Sequence, residues 1–280
     1  MKYVIGLIIS FLGSIAWSAP KEITIGLIPG NGIEMQAKAE ELAKVLQERL
    51  KVGVNIYIPK KYENLIQAMK SKKVDFAFYT AMSFVYAEKE ANAKVLLKSV
   101  WDKPFYYSTI VTKPGSKITS LKDLKGKRIG YVDEKSTSGF LLPSLELRRQ
   151  GINKEDVKII YTQNHKSSID MLQKDEVDAI AVFANDAKGK KGAWETYYPE
   201  KKLKMKTLWV SEALPTDPFT VRQDFFDKNT DFSYDVMMSF LELPGLSKTR
   251  NILKDTIGVT KMVTANSSQY DPIRKLIGNQ

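Results

Sequence analysis

The chain has no cysteine and a single histidine, His165, among 280 residues. Without thiols there is no disulfide scaffold, so an exported protein of this composition must hold its fold by its core alone. The same absence excludes the bacterial lipid anchor that needs a cysteine after the cleavage site. One imidazole and no thiolate leave no ligand set for a transition-metal site, and no metal or other cofactor is expected. No nucleophile–base constellation is recognisable either, so no catalytic residue is assigned and an enzyme is not expected. Long apolar runs are missing as well. The longest, Val4 to Ile15, falls short of the ~20 residues that span hydrocarbon.

That run follows Lys2 and leads into Ala16-Trp17-Ser18, a small-x-small pattern. Residues 1–18 therefore read as a cleavable secretory signal peptide, cut after Ser18, which predicts a free periplasmic protein. The remaining 262 residues are too many for one small core and suit two lobes. A charged fraction of 27% and a hydrophobic fraction of 43% are those of a globular chain. The formal charge of +11 attracts anions. Nucleic acid is not the expected partner. The lysine clusters at 188–191 and 201–204 are not interleaved with stacking aromatics, and a secretion signal points away from DNA.

Apolar runs at 23–28, 54–58 and 74–79 alternate with helical patterns at 35–50 and 63–70, the mark of a parallel sheet in an α/β layer. After residues 106–112 the alternation restarts: strands at 128–132, 157–161 and 179–183, helices at 120–124, 136–150 and 167–174. Strands at 206–210 and 219–225 and a mainly helical last third follow. Two α/β lobes with two chain crossings are predicted, lobe 1 comprising 19–109 and 213–280 and lobe 2 comprising 110–212, with a ligand cleft between them.

The most informative segment is Ser136-Thr137-Ser138-Gly139, between an apolar strand and a helical run. A helix start leaves about four N–H groups unpaired and carries roughly half a positive charge, so it draws an oxyanion, and three hydroxyls add neutral donors. Gly139 would let a ligand approach the backbone. An ordinary N-cap at Ser136 reads equally well from these four residues alone.

With Ile25-Gly26-Leu27-Ile28-Pro29, YENLIQAMKSKKVD at 62–75, Ser83-Phe84-Val85-Tyr86-Ala87, Tyr106-Tyr107-Ser108, ITSLKDLKGKRI at 118–129 and STSGFLLP at 136–143, the chain resembles the phosphate-, phosphite- and phosphonate-binding proteins of bacterial ABC importers, within the type II periplasmic binding proteins. The resemblance implies that Ser136, Thr137 and Ser138 hold the phosphorus-bound oxygens and that Tyr62, Tyr79 and Tyr106 border the cleft, with Tyr107 as the rival of Tyr106. It further implies a cleft role for His165 and for a carboxylate at Asp186, with Asn185 as its rival. Thr80 stands where many family members have glycine, which predicts a preference for compact ligands if its side chain faces the cleft rather than the lobe. A protonated His165 would tighten binding as pH falls toward ~6. The implied partners are a small phosphorus oxyanion and an inner-membrane ABC permease, with the protein a monomer. A periplasmic module feeding a membrane sensor is the alternative.

Overall fold

The computed structural model describes residues 19–29 and 32–278; the expected signal peptide lies outside them. The first lobe opens with β1 (Glu22–Gly26), α1 (Gly32–Leu50), β2 (Gly53–Tyr57), α2 (Tyr62–Lys70), β3 (Phe76–Phe78), α3 (Ala81–Ala91) and β4 (Ala93–Val100). The second holds β5 (Phe105–Thr112), β6 (Arg128–Tyr131), α4 (Leu142–Arg149), β7 (Lys158–Tyr161), α5 (His165–Gln173), β8 (Ala179–Ala184), α6 (Ala193–Tyr197), β9 (Lys206–Val210) and β10 (Leu214–Pro215). The chain then returns with β11 (Pro218–Arg222), α7 (Gln223–Lys228), α8 (Thr230–Glu242), α9 (Ile252–Ile257), β12 (Lys261–Thr264) and α10 (Asp271–Gly278).

Each lobe is built on one sheet. The first has strand order β12-β4-β11-β3-β1-β2, and the second β10-β5-β8-β6-β7, with β9 also paired to β5. β1 runs parallel to β2 and β3, and β6 parallel to β7 and β8, as the alternating strand–helix pattern requires. The returning strands β5 and β11 lie antiparallel to their neighbours. All of β5 belongs to the second sheet, where Tyr107 to Val111 pair with Ala184 to Ile180, and β10 pairs with β5 too. The passages between lobes therefore lie at 101–104 and 216–217, which keeps the hydrogen-bond ladder of each strand within one sheet.

The strand period sorts the first core into two layers. Phe76 and Phe78 of β3 point to the layer under α1 and α8, where Phe219 lies 5.7 and 4.7 Å away, ring centre to ring centre. Ala77 and Tyr79 point the other way, into the layer of Leu65, Ile66 and Met69 of α2 and Phe84 of α3. The stripe of α1 is buried as its spacing predicts, at Ala39, Leu42 and Leu46. Burial of each such large side chain contributes about 1.5–3 kcal/mol.

Several elements are not marked by periodicity. Helix α3 is apolar over most of its surface because it is packed on several sides, so no stripe marks it. Strands β4, β10 and β12 and the short helix α6 also lie outside the predicted elements. The expected strand at 219–225 ends at Arg222, where α7 begins, and the expected helix at 120–124 is a four-residue 3₁₀ turn. Among the described residues no helix is long and apolar enough to cross a membrane.

Candidate functional site

The carboxyl ends of β3 and β6, the start of α5 and both passages converge on a cleft of about 460 Å³ between the lobes, the usual ligand position in α/β sheets. Its lining includes Tyr62, Thr80, Trp101, Tyr106, Ser136, Ser138, His165, Phe183, Asn185, Tyr197 and Asp217. Three lysines border it, Lys38, Lys166 and Lys254, none of them buried.

The hydroxyl segment is a π turn, Thr137–Leu141, running straight into α4. Single π turns inside helices recur at functional sites. Ser136 caps it, its Oγ accepting from Gly139 N–H at 3.1 Å, and keeps its own hydrogen for the cleft. Ser136 thus both caps the turn and lines the cleft. Ser138 is anchored from behind, its carbonyl accepting from Ser108 Oγ–H at 2.7 Å. Thr137 is buried, and its Oγ1 accepts from Met82 N–H at 2.8 Å across the lobes. It stands behind the cleft wall and not on it. A Cβ at Gly139 would come within 2.5 Å of Val132 Cγ2, so the glycine allows the turn to press on the end of β6. Ligand approach, the expected reason, is not what the position requires.

Tyr62 opens α2 and Tyr106 lies on β5, both buried at the cleft wall. The Tyr106 hydroxyl is within hydrogen-bonding reach of the Thr137 and Ser138 hydroxyls, and burial holds both phenols protonated well above their ordinary pKa. Of the two candidates on β5, Tyr106 is the one brought to the cleft; strand alternation turns Tyr107 away toward Phe105. Tyr79 is not on the wall. Its hydroxyl donates to the Leu65 carbonyl at 3.2 Å, inside lobe 1, because residue 79 follows the inward alternation of Ala77.

Thr80 lines the cleft, but its hydroxyl is committed: Oγ1 caps α3 by accepting from Ser83 N–H and donates to the Lys135 carbonyl at 2.8 Å. Asp186 does not reach the cleft, since its two oxygens accept from the N–H groups of Lys188 and Lys191 and fold the 186–191 loop onto itself. Its rival Asn185 lines the cleft instead. His165 lies at the start of α5, edge-on to Phe183 at 4.9 Å, with Nδ1 shielded and unpartnered. Burial pushes its pKa down to about 3, so the imidazole is neutral at physiological pH. A tightening toward pH 6 therefore does not come from His165 in the free protein.

Two residues that sequence reasoning missed complete the site. Asp217, on the second passage, has a buried Oδ1 without a partner, and desolvation raises its pKa to about 7. Its backbone is fixed, the carbonyl accepting from Ser99 N–H at 2.9 Å. The signal was an acidic residue between apolar neighbours in Leu214-Pro215-Thr216-Asp217-Pro218-Phe219, but polar residues are expected in crossing segments and it did not stand out. Trp101, on the first passage, stacks on Phe183 at 6.2 Å and meets Tyr106 edge-on at 5.0 Å, giving the cleft an apolar wall beside its polar one.

Such an arrangement can hold a small anion by neutral hydroxyl donors, offer one proton acceptor to it, and shelter a nonpolar substituent. The profile of the ABC transporter phosphonate periplasmic substrate-binding proteins matches residues 25–270. The phosphonates-binding periplasmic protein of Escherichia coli (strain K12) is 29% identical over 82% of this chain and 68% of its own length. A probable ABC transporter phosphite-binding protein of Prochlorococcus marinus (strain MIT 9301) is 24% identical over 99% of this chain and 96% of its own. In fold, the structure is similar to that of a Prochlorococcus marinus (MIT 9301) protein solved in complex with methylphosphonate, with a TM-score of 0.80, 20% identity and coverage of 93% of this chain and 98% of that one. With its two sheets, its interlobe cleft and a match spanning nearly all of the described chain, this protein belongs to the phosphonate-type periplasmic substrate-binding proteins of ABC transporters, a family of binding proteins and not of enzymes.

Proposed function

We propose that the protein captures a small phosphorus oxyanion, a phosphonate, phosphite or phosphate, in the interlobe cleft and delivers it to an inner-membrane ABC permease. Export through the N-terminal signal segment and action as a monomer belong to the same reading. The observation that carries it is the pairing of the Ser136–Ser138 turn with the unpartnered Asp217 Oδ1 in one cleft. Hydroxyls of Ser136, Ser138, Tyr62 and Tyr106 donate to the anion's oxygens, Thr137 supports them from behind, and neutral His165 supplies one further N–H. The helix terminus supplies positive potential without a buried cation.

Asp217 sets the ligand class. A carboxylate beside an anion repels unless a proton lies between them, and a pKa of about 7 places that proton on either partner near neutrality. Phosphite, phosphate and phosphonates carry or readily take one proton there; sulfate does not. Above pH ~7, where Asp217 is ionised, sulfate brings no proton to the pair and is rejected by an unpaired repulsive contact. The Trp101–Phe183 wall receives the ligand's substituent, and Thr80 with its fixed hydroxyl keeps the space beside it small. Asn185, an amide where the resemblance implied a carboxylate, offers a ligand ammonium no counter-charge.

A thermal-shift series at pH 8 tests this. Methylphosphonate, phosphite or phosphate at 100 times its Kd stabilises the native state by about 2.7 kcal/mol, read as a raised Tm, whereas sulfate leaves Tm in place. A sulfate shift equal to that of methylphosphonate would contradict the role of Asp217 and with it the ligand class.

A further inference from the structure

The lobes touch through contacts that need no ligand. Residues 133–137, the loop that leads from β6 into the hydroxyl turn, lie against the starts of α2 and α3 in lobe 1. The Asp133 carboxylate accepts from Tyr62 N–H. The Lys135 carbonyl accepts from Thr80 Oγ1–H at 2.8 Å, and Thr137 Oγ1 accepts from Met82 N–H at 2.8 Å. The Lys135 ammonium sits 3.6 Å from the centre of the Tyr86 ring on α3 and 3.7 Å from Glu63 Oε2 on α2. Three residues of one short loop, Asp133, Lys135 and Thr137, thus engage two helices of the other lobe by hydrogen bond, ion pair and cation–π contact.

We propose that this loop is a clasp that closes the lobes independently of the anion, with Lys135 as its principal side chain, and that it fixes affinity by positioning and not by contact. Lys135 does not line the cleft, while its backbone carbonyl uses the hydrogen of Thr80, the one cleft-lining residue in the set besides Tyr62 and the neighbouring Ser136. When the binding-competent form is a fraction of the population, apparent affinity falls in proportion to that fraction. A side chain that favours closure by ~3- to 10-fold, the range of one exposed ion pair combined with one cation–π contact, therefore governs release without distinguishing one ligand from another. Through Thr137 the clasp also holds the turn in register with Tyr62 before any anion arrives, which is preorganisation of the donor set.

The clasp and the ligand reading fail separately. Small-angle scattering without ligand tests the clasp alone: Lys135→Met and, independently, Thr80→Val are expected to give a more extended particle than the wild-type protein. Stopped-flow release of methylphosphonate, followed by Trp101 fluorescence, is expected to be ~3- to 10-fold faster in Lys135→Met, with the affinity ratio of methylphosphonate to inorganic phosphate unchanged. Glu63→Gln should produce part of the same change and add little in the Lys135→Met background. Ligand-free scattering curves identical to wild type for both Lys135→Met and Thr80→Val would overturn the clasp. An altered methylphosphonate-to-phosphate ratio in Lys135→Met would overturn positioning, because it would require Lys135 to act on the ligand itself.

Discussion

In the proposed function Asp217 sets the ligand class, and its ionisation leaves a thermodynamic trace. Its folded pKa, about 7, lies above the ordinary carboxyl value of 3.8. Below pH ~4 the acid is neutral folded or unfolded and has no effect; above pH ~7 the folded state holds a desolvated carboxylate and is destabilised. Asp217→Asn is therefore expected to leave stability unchanged at pH 4 and to raise it at pH 8 by on the order of 3 kcal/mol, measured by urea unfolding without ligand. The same variant binds phosphate more weakly and loses its discrimination against sulfate. For His165, a pKa near 3 gives the opposite result to a titrating ligand contact. Between pH 6 and 8, binding curves of the wild type and of His165→Asn should run parallel, offset by about 1 kcal/mol for one lost donor, when measured by calorimetry. Convergence of the two curves at high pH would show a charged imidazole in the complex.

At the scale of the element, the hydroxyl turn was legible from sequence because an oxyanion site needs hydroxyls, a glycine and a helix start in consecutive residues, and strand–turn–helix order is written locally. The strand–helix alternation was legible for the same reason. What was not legible depends on packing at a distance. Tyr79 faces inward because β3 sends residues 77 and 79 toward α2, a register that the short run Phe76-Ala77-Phe78, apolar on both faces, does not reveal. Asp186 is consumed by its own loop, and Asp217 is drawn in by the folding of the second passage onto β4. Two variants separate element from site. Tyr79→Phe should cost about 1 kcal/mol of stability, the loss of its bond to Leu65, and leave ligand affinity unchanged. Gly139→Ala should cost about 1–3 kcal/mol by forcing the turn off Val132, with binding impaired because Ser138 moves with it; thermal unfolding and calorimetry together read both effects.

For the whole molecule, two sheets joined by two short passages form a hinge, and the cleft walls come from both: Tyr62, Thr80 and Asp217 from the first-lobe side, Tyr106, the hydroxyl turn and His165 from the second. An anion bound between them bridges the lobes, so closure and binding are linked. On the proposed function, the permease would read occupancy from the spacing of the two rims. The measurement that tests the central claim most directly is a crystal structure of the mature protein with methylphosphonate. The account predicts phosphonate oxygens within hydrogen-bonding distance of Ser136, Ser138, Tyr62 and Tyr106, one protonated oxygen on Asp217 Oδ1, and the methyl group against Trp101 and Phe183. Methylphosphonate bound away from the hydroxyl turn, or in the cleft with Asp217 Oδ1 still unpartnered, would contradict it.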